Sequence, residues 1–311
     1  MLTYLVVLLD DTSTSFCHYT ATRRERRLID LGTLRRAIVW AMKENLNIQF
    51  VYPAYLLPED YRETVETTDH TKVGPMTCGE ELDGVVVDTL ADIDGERRQP
   101  YVWQCTLEEL SAQLETLKEV LGRAFRINVM LTDVATWRQP AFDRYKVVLD
   151  ELTAHVAALY GEGRRPQLNL LTDRLLLGEM NNCGAGDTCV TLAPDGRFYI
   201  CPAFYYGGED SIGSPEEGLT VPNRQLLRLD HAPICRRCDA YQCRRCVWLN
   251  GVLTGDCNTP SHEQCVTAHL ERNASRQLQL QLRADGVRLQ GSRDISEIDY
   301  LDPFIIASQW K

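Results

Sequence analysis

A chain of 311 residues with 44% hydrophobic and 25% charged side chains is long enough to bury one large core and a smaller appended module. Its formal charge of −11 argues against the broad basic face that a phosphate backbone requires, so no nucleic-acid partner is expected. The apolar run Leu2 to Leu9 is too short to span a bilayer, has no basic residues ahead of it and is followed by Asp10 and Asp11. It predicts a buried strand, no membrane partner and a cytoplasmic protein.

Up to about residue 175, β-branched or aliphatic runs alternate with longer amphipathic segments, the pattern of strand–helix units around a parallel sheet. Strands are predicted over Thr3 to Leu9, Ile48 to Tyr52, Gly84 to Val87, Arg126 to Leu131 and Leu168 to Leu171, and helices over Asp30 to Glu44, Leu107 to Leu121 and Phe142 to Tyr160. Asp10, Asp11, Asp88, Asp133 and Asp173 follow strands, either as helix and turn caps or as part of a functional face. Five strands are too few for a closed eight-unit barrel. The expected class is therefore α/β, with a partial or degenerate (β/α) barrel over residues 1–178. Pro58 to Gly79 is polar and aperiodic, and reads as a surface loop with a short helix.

Beyond residue 180 the chain is dense in Gly, Pro and Cys. A hairpin is predicted from Val190 to Ile200, turning at Pro194, Asp195 and Gly196, and a helix from Glu263 to about Leu282. A tail over 286–311 ends in the apolar stretch Pro303 to Trp310. Nine of the twelve cysteines lie in the 83 positions from Cys183 to Cys265. In a reducing compartment such a concentration points to bound metal rather than to disulfides. Tetrahedral zinc and iron–sulfur clusters both take four sulfur ligands per site, so eight cysteines make two sites with one left over. The paired Cys-x-x-Cys elements fit either metal.

The full order is more specific: Cys183, twelve residues, Gly196, four residues, Cys201, then Cys235, Cys238, Cys243 and Cys246 as a tight block, then Cys257 and Cys265. This order resembles the SPASM domain, the auxiliary-cluster module of radical S-adenosylmethionine enzymes that modify peptides. The segment resembling it is placed over 179–285, ending with the C-terminal helix. The block is trimmed, with four and two residues between its last cysteines where the family usually has five and three. The resemblance implies two [4Fe-4S] clusters, one on Cys183, Cys189, Cys201 and Cys246 and the other on Cys235, Cys238, Cys243 and Cys265, with Cys257 the alternative to Cys265. Arg236, Arg237, Arg244 and Arg245 alternate with these ligands, either to offset cluster charge or as solvated surface side chains.

In those radical enzymes a Cys-x-x-x-Cys-x-x-Cys triplet follows the first strand. Here Asp10 to Tyr19 contains Cys17 alone. A single thiolate cannot hold the catalytic cluster, so the chain is not expected to cleave S-adenosylmethionine by itself. Val6 to Tyr19, and Cys235 through Trp248 to Cys265, resemble the CXXX-repeat peptide maturase family. That resemblance implies an accessory subunit acting with a separate radical S-adenosylmethionine enzyme on a cysteine-repeat precursor peptide. The competing readings are a structural module with two Zn2+ and a partner-binding N-terminal domain, or an independent enzyme using Cys17 and a strand-end aspartate. No catalytic residue is assigned from sequence. Cys17, His18 and Cys78 read most simply as buried loop residues, and His262 as part of the turn before the last helix.

Overall fold

The computed structural model describes residues 1–18, 22–95 and 98–304. In chain order its main elements are β1 (Tyr4–Leu8), α1 (Leu31–Lys43), β2 (Asn47–Val51), α2 (Glu59–Val65), β3 (His70–Pro75), β4 (Gly84–Val87) and β5 (Pro100–Cys105). Next come α3 (Leu107–Ala112), α4 (Leu114–Leu121), β6 (Arg126–Leu131), α5 (Gln139–Gly161), β7 (Gln167–Leu168) and α6 (Asp173–Leu176). The remainder comprises β8 (Cys189–Leu192), β9 (Phe198–Tyr199), α7 (Pro202–Gly207), β10 (Gly213–Ser214), β11 (Gly218–Leu219), α8 (Arg224–Leu227), α9 (Val247–Thr254) and α10 (His262–Ala284). The class is α/β, as expected.

Two compact units form, each from two stretches of chain: residues 1–86 with 183–231, and residues 87–182 with 232–311. In the first unit the strand order is β4-β3-β2-β1-β8-β9, parallel throughout except for the β8–β9 hairpin. β1 is buried from Leu5 to Leu8 because it lies between β2 and β8 with apolar side chains on both faces. α1 begins at Asp30, whose carboxylate accepts the Thr33 N–H at 2.8 Å. The predicted hairpin forms, with Gly196 at φ +82° in its turn, a left-handed position that favours glycine.

In the second unit β5, β6 and β7 are parallel, and α10 packs against α5. Here the predicted elements change in instructive ways. The single helix over Leu107 to Leu121 is broken at Gln113, two positions after Ser111, whose hydroxyl bonds back to the Leu107 carbonyl at 2.7 Å. The predicted strand from Leu168 to Leu171 stops at Leu168. The Asn169 side chain takes over the pairing, accepting the Val129 N–H and donating to the Val129 carbonyl, both at 2.8 Å. β5 here, and β3, β10 and β11 in the first unit, lie where no strand was predicted, β3 within the segment read as a surface loop. The C-terminal helix forms with a capping box at Ser261 and Gln264. Of the apolar tail, positions beyond Phe304 lie outside the described residues.

Candidate functional site

In the first unit, the chain leaving β1 turns into a polar cluster. Asp10 and Asp11 are buried at 0% and 4% exposure. The Asp10 carboxylate accepts the Thr12 N–H at 2.8 Å, and the Ser13 hydroxyl donates to the Val51 carbonyl at 2.8 Å, which fixes the loop against β2. Asp11 accepts a hydrogen bond from the Tyr205 hydroxyl and faces Arg27 at 3.3 Å and Arg23 at 3.5 Å. The Arg23 guanidinium lies over the Tyr205 ring, 4.3 Å from its centroid. Burial, the hydrogen bond to Asp11 and that carboxylate's charge all push the Tyr205 phenol well above its ordinary range, so it donates rather than ionises. Below this cluster Val6, Leu8, Val51, Ala193, Tyr199 and Tyr205 form a core.

Asp10 caps the turn it opens through the Thr12 N–H, as its position suggests, whereas Asp133 and Asp173 make no side-chain cap for the helices that follow them. Asp133 accepts the Leu107 N–H at 3.2 Å, Asp173 holds Arg126 through both oxygens at 2.9 and 2.8 Å, and Asp88 is exposed. Cys78 is fully buried, and burial raises its thiol pKa. The His262 ring pairs with Asp302 and stands edge-on to Phe142, with ring centroids 5.9 Å apart, at the first position of α10.

Three of the nine clustered cysteines lie in the first unit. The Cys183-to-Cys189 loop is wound on one acceptor, the Gly184 carbonyl, which takes the N–H groups of Asp187, Thr188 and Cys189 at 2.8 to 2.9 Å. Gly184 sits at φ +71°, and a side chain there would collide with Thr188. Burial, and then the neighbouring Cys183, push the Cys189 thiol up to about 12. Cys201 stands at the N-cap of α7.

The other six of the nine clustered cysteines belong to the second unit. Cys235, Cys238, Cys243 and Cys265 lie within electrostatic reach of one another. Burial raises all four thiols, with Cys235 pushed up to about 11 and Cys243 to about 12. Cys257 is half-buried, and the charges acting on it are those of Asp256 and Arg245. Cys246 caps α9, its sulfur accepting the Leu249 N–H at 3.5 Å. Among the described residues no group of three or more His, Cys, Asp or Glu side chains is drawn together tightly enough to grip a metal ion. Four thiols, Cys235 buried and Cys238, Cys243 and Cys265 half-buried, that repel one another once ionised are nonetheless a donor set suited to a cation, which repays the cost of deprotonation.

Of the four arginines singled out by sequence, Arg236, Arg237 and Arg244 are exposed and Arg245 is buried. Arg245 has φ 46°, and its backbone N–H favours the Cys243 thiolate. Its guanidinium donates to Asn258 at 2.6 Å and favours the Cys235 thiolate. Two further arginines, which sequence reasoning missed, act on Cys238. Arg272 is 0% exposed and grips Asp239 through both oxygens at 2.8 and 2.6 Å, while Arg174 donates to the Asp239 carbonyl at 2.7 Å. His269 was also missed, although it falls four positions after Cys265 on the predicted helix and therefore on the same face.

No family model matches the chain, and no curated protein does. Solved structures do. Native anSMEcpe with bound AdoMet and Cp18Cys peptide superposes with a TM-score of 0.62 at 11% identity, over 92% of this chain and 99% of that one. Histidine-tagged anSMEcpe with bound AdoMet gives 0.60 at 12%, over 92% and 96%. Streptococcus suis SuiB bound to S-adenosylmethionine gives 0.47 at 12%, over 85% and 77%. At these identities the first two likenesses establish the fold: this chain has the fold of anSMEcpe over nearly its whole length.

Proposed function

We propose that this chain is an iron–sulfur accessory protein of peptide modification. It carries two [4Fe-4S] clusters on the SPASM-type cysteines and works beside a separate radical S-adenosylmethionine enzyme on a cysteine-repeat precursor peptide. The observation that carries this reading is the group of four mutually interacting thiols Cys235, Cys238, Cys243 and Cys265, in a chain with the fold of an AdoMet-binding, peptide-binding protein. Cys265 rather than Cys257 is the fourth member, because Cys265 feels the other three thiols.

The place where a radical enzyme needs three cysteines supports an accessory role. Asp10, Asp11 and Ser13 are buried there, Asp11 held by Tyr205, Arg23 and Arg27, and Asp10 and Ser13 by bonds to Thr12 and Val51. Bound clusters would supply one-electron transfer, and the buried arginines and backbone N–H groups stabilise the ionised sulfurs that hold them.

Metal analysis of protein purified without oxygen tests the reading. About eight iron and eight sulfide per chain with absorbance near ~400 nm is the expected result. About two zinc and a colourless protein would overturn it in favour of a structural module.

A further inference from the structure

Cys238 is set apart from the other thiols of the second unit by what surrounds its sulfur. The His269 ring places Nε2 3.4 Å from Cys238 Sγ, and the Ala240 backbone N–H points at the same sulfur from 3.4 Å. Arg272 and Arg174, both buried, add positive charge that favours the thiolate. His269 is 3% exposed, and the edge of its ring meets Tyr300 at 5.7 Å between centroids, so little room remains for it to turn away. It reaches Cys238 from α10, one turn beyond Cys265, and thus spans two members of the four-thiol group.

A neutral imidazole has one N–H to give. Once Cys238 is ionised its sulfur can only accept, so the tautomer with hydrogen on Nε2 is the one that pairs with it. An N–H donated to a ligating thiolate withdraws electron density from the sulfur and favours the more negative, reduced state of the metal centre. The four thiols already fill four ligand positions, which leaves the imidazole as donor.

We propose that His269 donates from Nε2 to the Cys238 thiolate and thereby raises the reduction potential of the cluster in the second unit. The proposal rests on the two-cluster reading, and one experiment separates the two. Full-length protein is purified without oxygen as wild type, His269→Leu and His269→Gln. Iron and sulfide are counted in each, and each is titrated reductively with electron paramagnetic resonance as the readout.

All three proteins should hold about eight iron. In His269→Leu, one cluster's ratio of reduced to oxidised form at a fixed potential should fall about tenfold, equivalent to ~59 mV for one electron. The other cluster should not move. His269→Gln, whose amide N–H reaches the same place, should keep most of the wild-type value. Full iron with unmoved potentials in His269→Leu would overturn the donor role and leave the two-cluster reading standing. Loss of about four iron in both variants would make His269 a ligand and equally overturn it. Wild-type protein without iron would remove the two-cluster reading itself. Should His269→Leu not accumulate, His269→Asn, whose amide falls short of Cys238, serves as the donor-less variant with the same expected fall.

Discussion

The Tyr205 hydroxyl donates to the Asp11 carboxylate across 194 positions of sequence, tying α7 to the end of β1. Its partners Arg23 and Arg27 are 44% and 47% exposed, so the phenol is the buried member that holds the carboxylate in place. Tyr205→Phe should lower stability by about 1–3 kcal/mol, the range for a hydrogen bond to a charged acceptor. Urea denaturation measures it, and an unchanged midpoint would show that the arginines alone suffice.

The same network bears on catalysis. Incubated with S-adenosylmethionine and a strong reductant, the isolated chain should form no 5′-deoxyadenosine by liquid chromatography, whatever its iron content. Turnover by the chain alone would contradict the accessory role.

Cysteine variants distinguish the ligands. Cys243→Ser and Cys265→Ser should each reduce iron from about eight to about four per chain, whereas Cys257→Ser should keep the full amount. Iron loss in Cys257→Ser with retention in Cys265→Ser would exchange the two assignments.

Glu271 on α10 accepts the hydroxyl of the fully buried Tyr145 at 2.8 Å, and burial raises its carboxyl from 4.5 to about 7. A carboxyl raised in the folded state binds its proton more tightly there than in the unfolded chain. It therefore costs nothing below 4.5, and stability falls as pH rises from 4.5 to about 7. Glu271→Gln keeps the acceptor for Tyr145 and removes the ionisation. At pH 8 it should be more stable than wild type by roughly 1–3 kcal/mol, with no difference near pH 4. Denaturation midpoints at the two pH values give the comparison, and an equal gap at both would point to packing instead.

Arg272, at 0% exposure, leaves Asp239 without its bidentate partner when replaced. Arg272→Met should cost about 2–4 kcal/mol, and Arg272→Met with Asp239→Asn should recover part of that. Thermal melts of the two single variants and the double variant give the coupling, and simple additivity would argue against a shared role.

Much of the architecture is legible in the sequence where burial follows a simple period. β4 and β6 have the predicted bounds because β4 is apolar on both faces and β6 carries Ile127, Val129 and Leu131 on one, and α5 and α10 extend the predicted helices by only a few residues. β3 and β5 were not legible. One contains His70, Lys72, Gly74 and Pro75, and the other opens on Pro100, so neither offers an uninterrupted apolar signal. For the candidate site, cysteine spacing shows which residues to examine. It does not show that Arg174, 64 positions before Cys238, or Arg272, 34 positions after it, acts on that sulfur, since such contacts come from the packing of α6 and α10.

β1 is paired on one side by β2, about forty positions later, and on the other by β8, to which the Thr3 hydroxyl already points through its bond to the Thr188 carbonyl 185 positions on. During synthesis, then, one edge of the first strand waits for more than half of the chain to leave the ribosome. The strand that finally closes it opens on Cys189. The same short stretch of chain thus completes the first unit's sheet and presents the Cys189 thiol, so a nascent chain halted before residue 189 would carry a bare apolar strand edge with nothing to pair it.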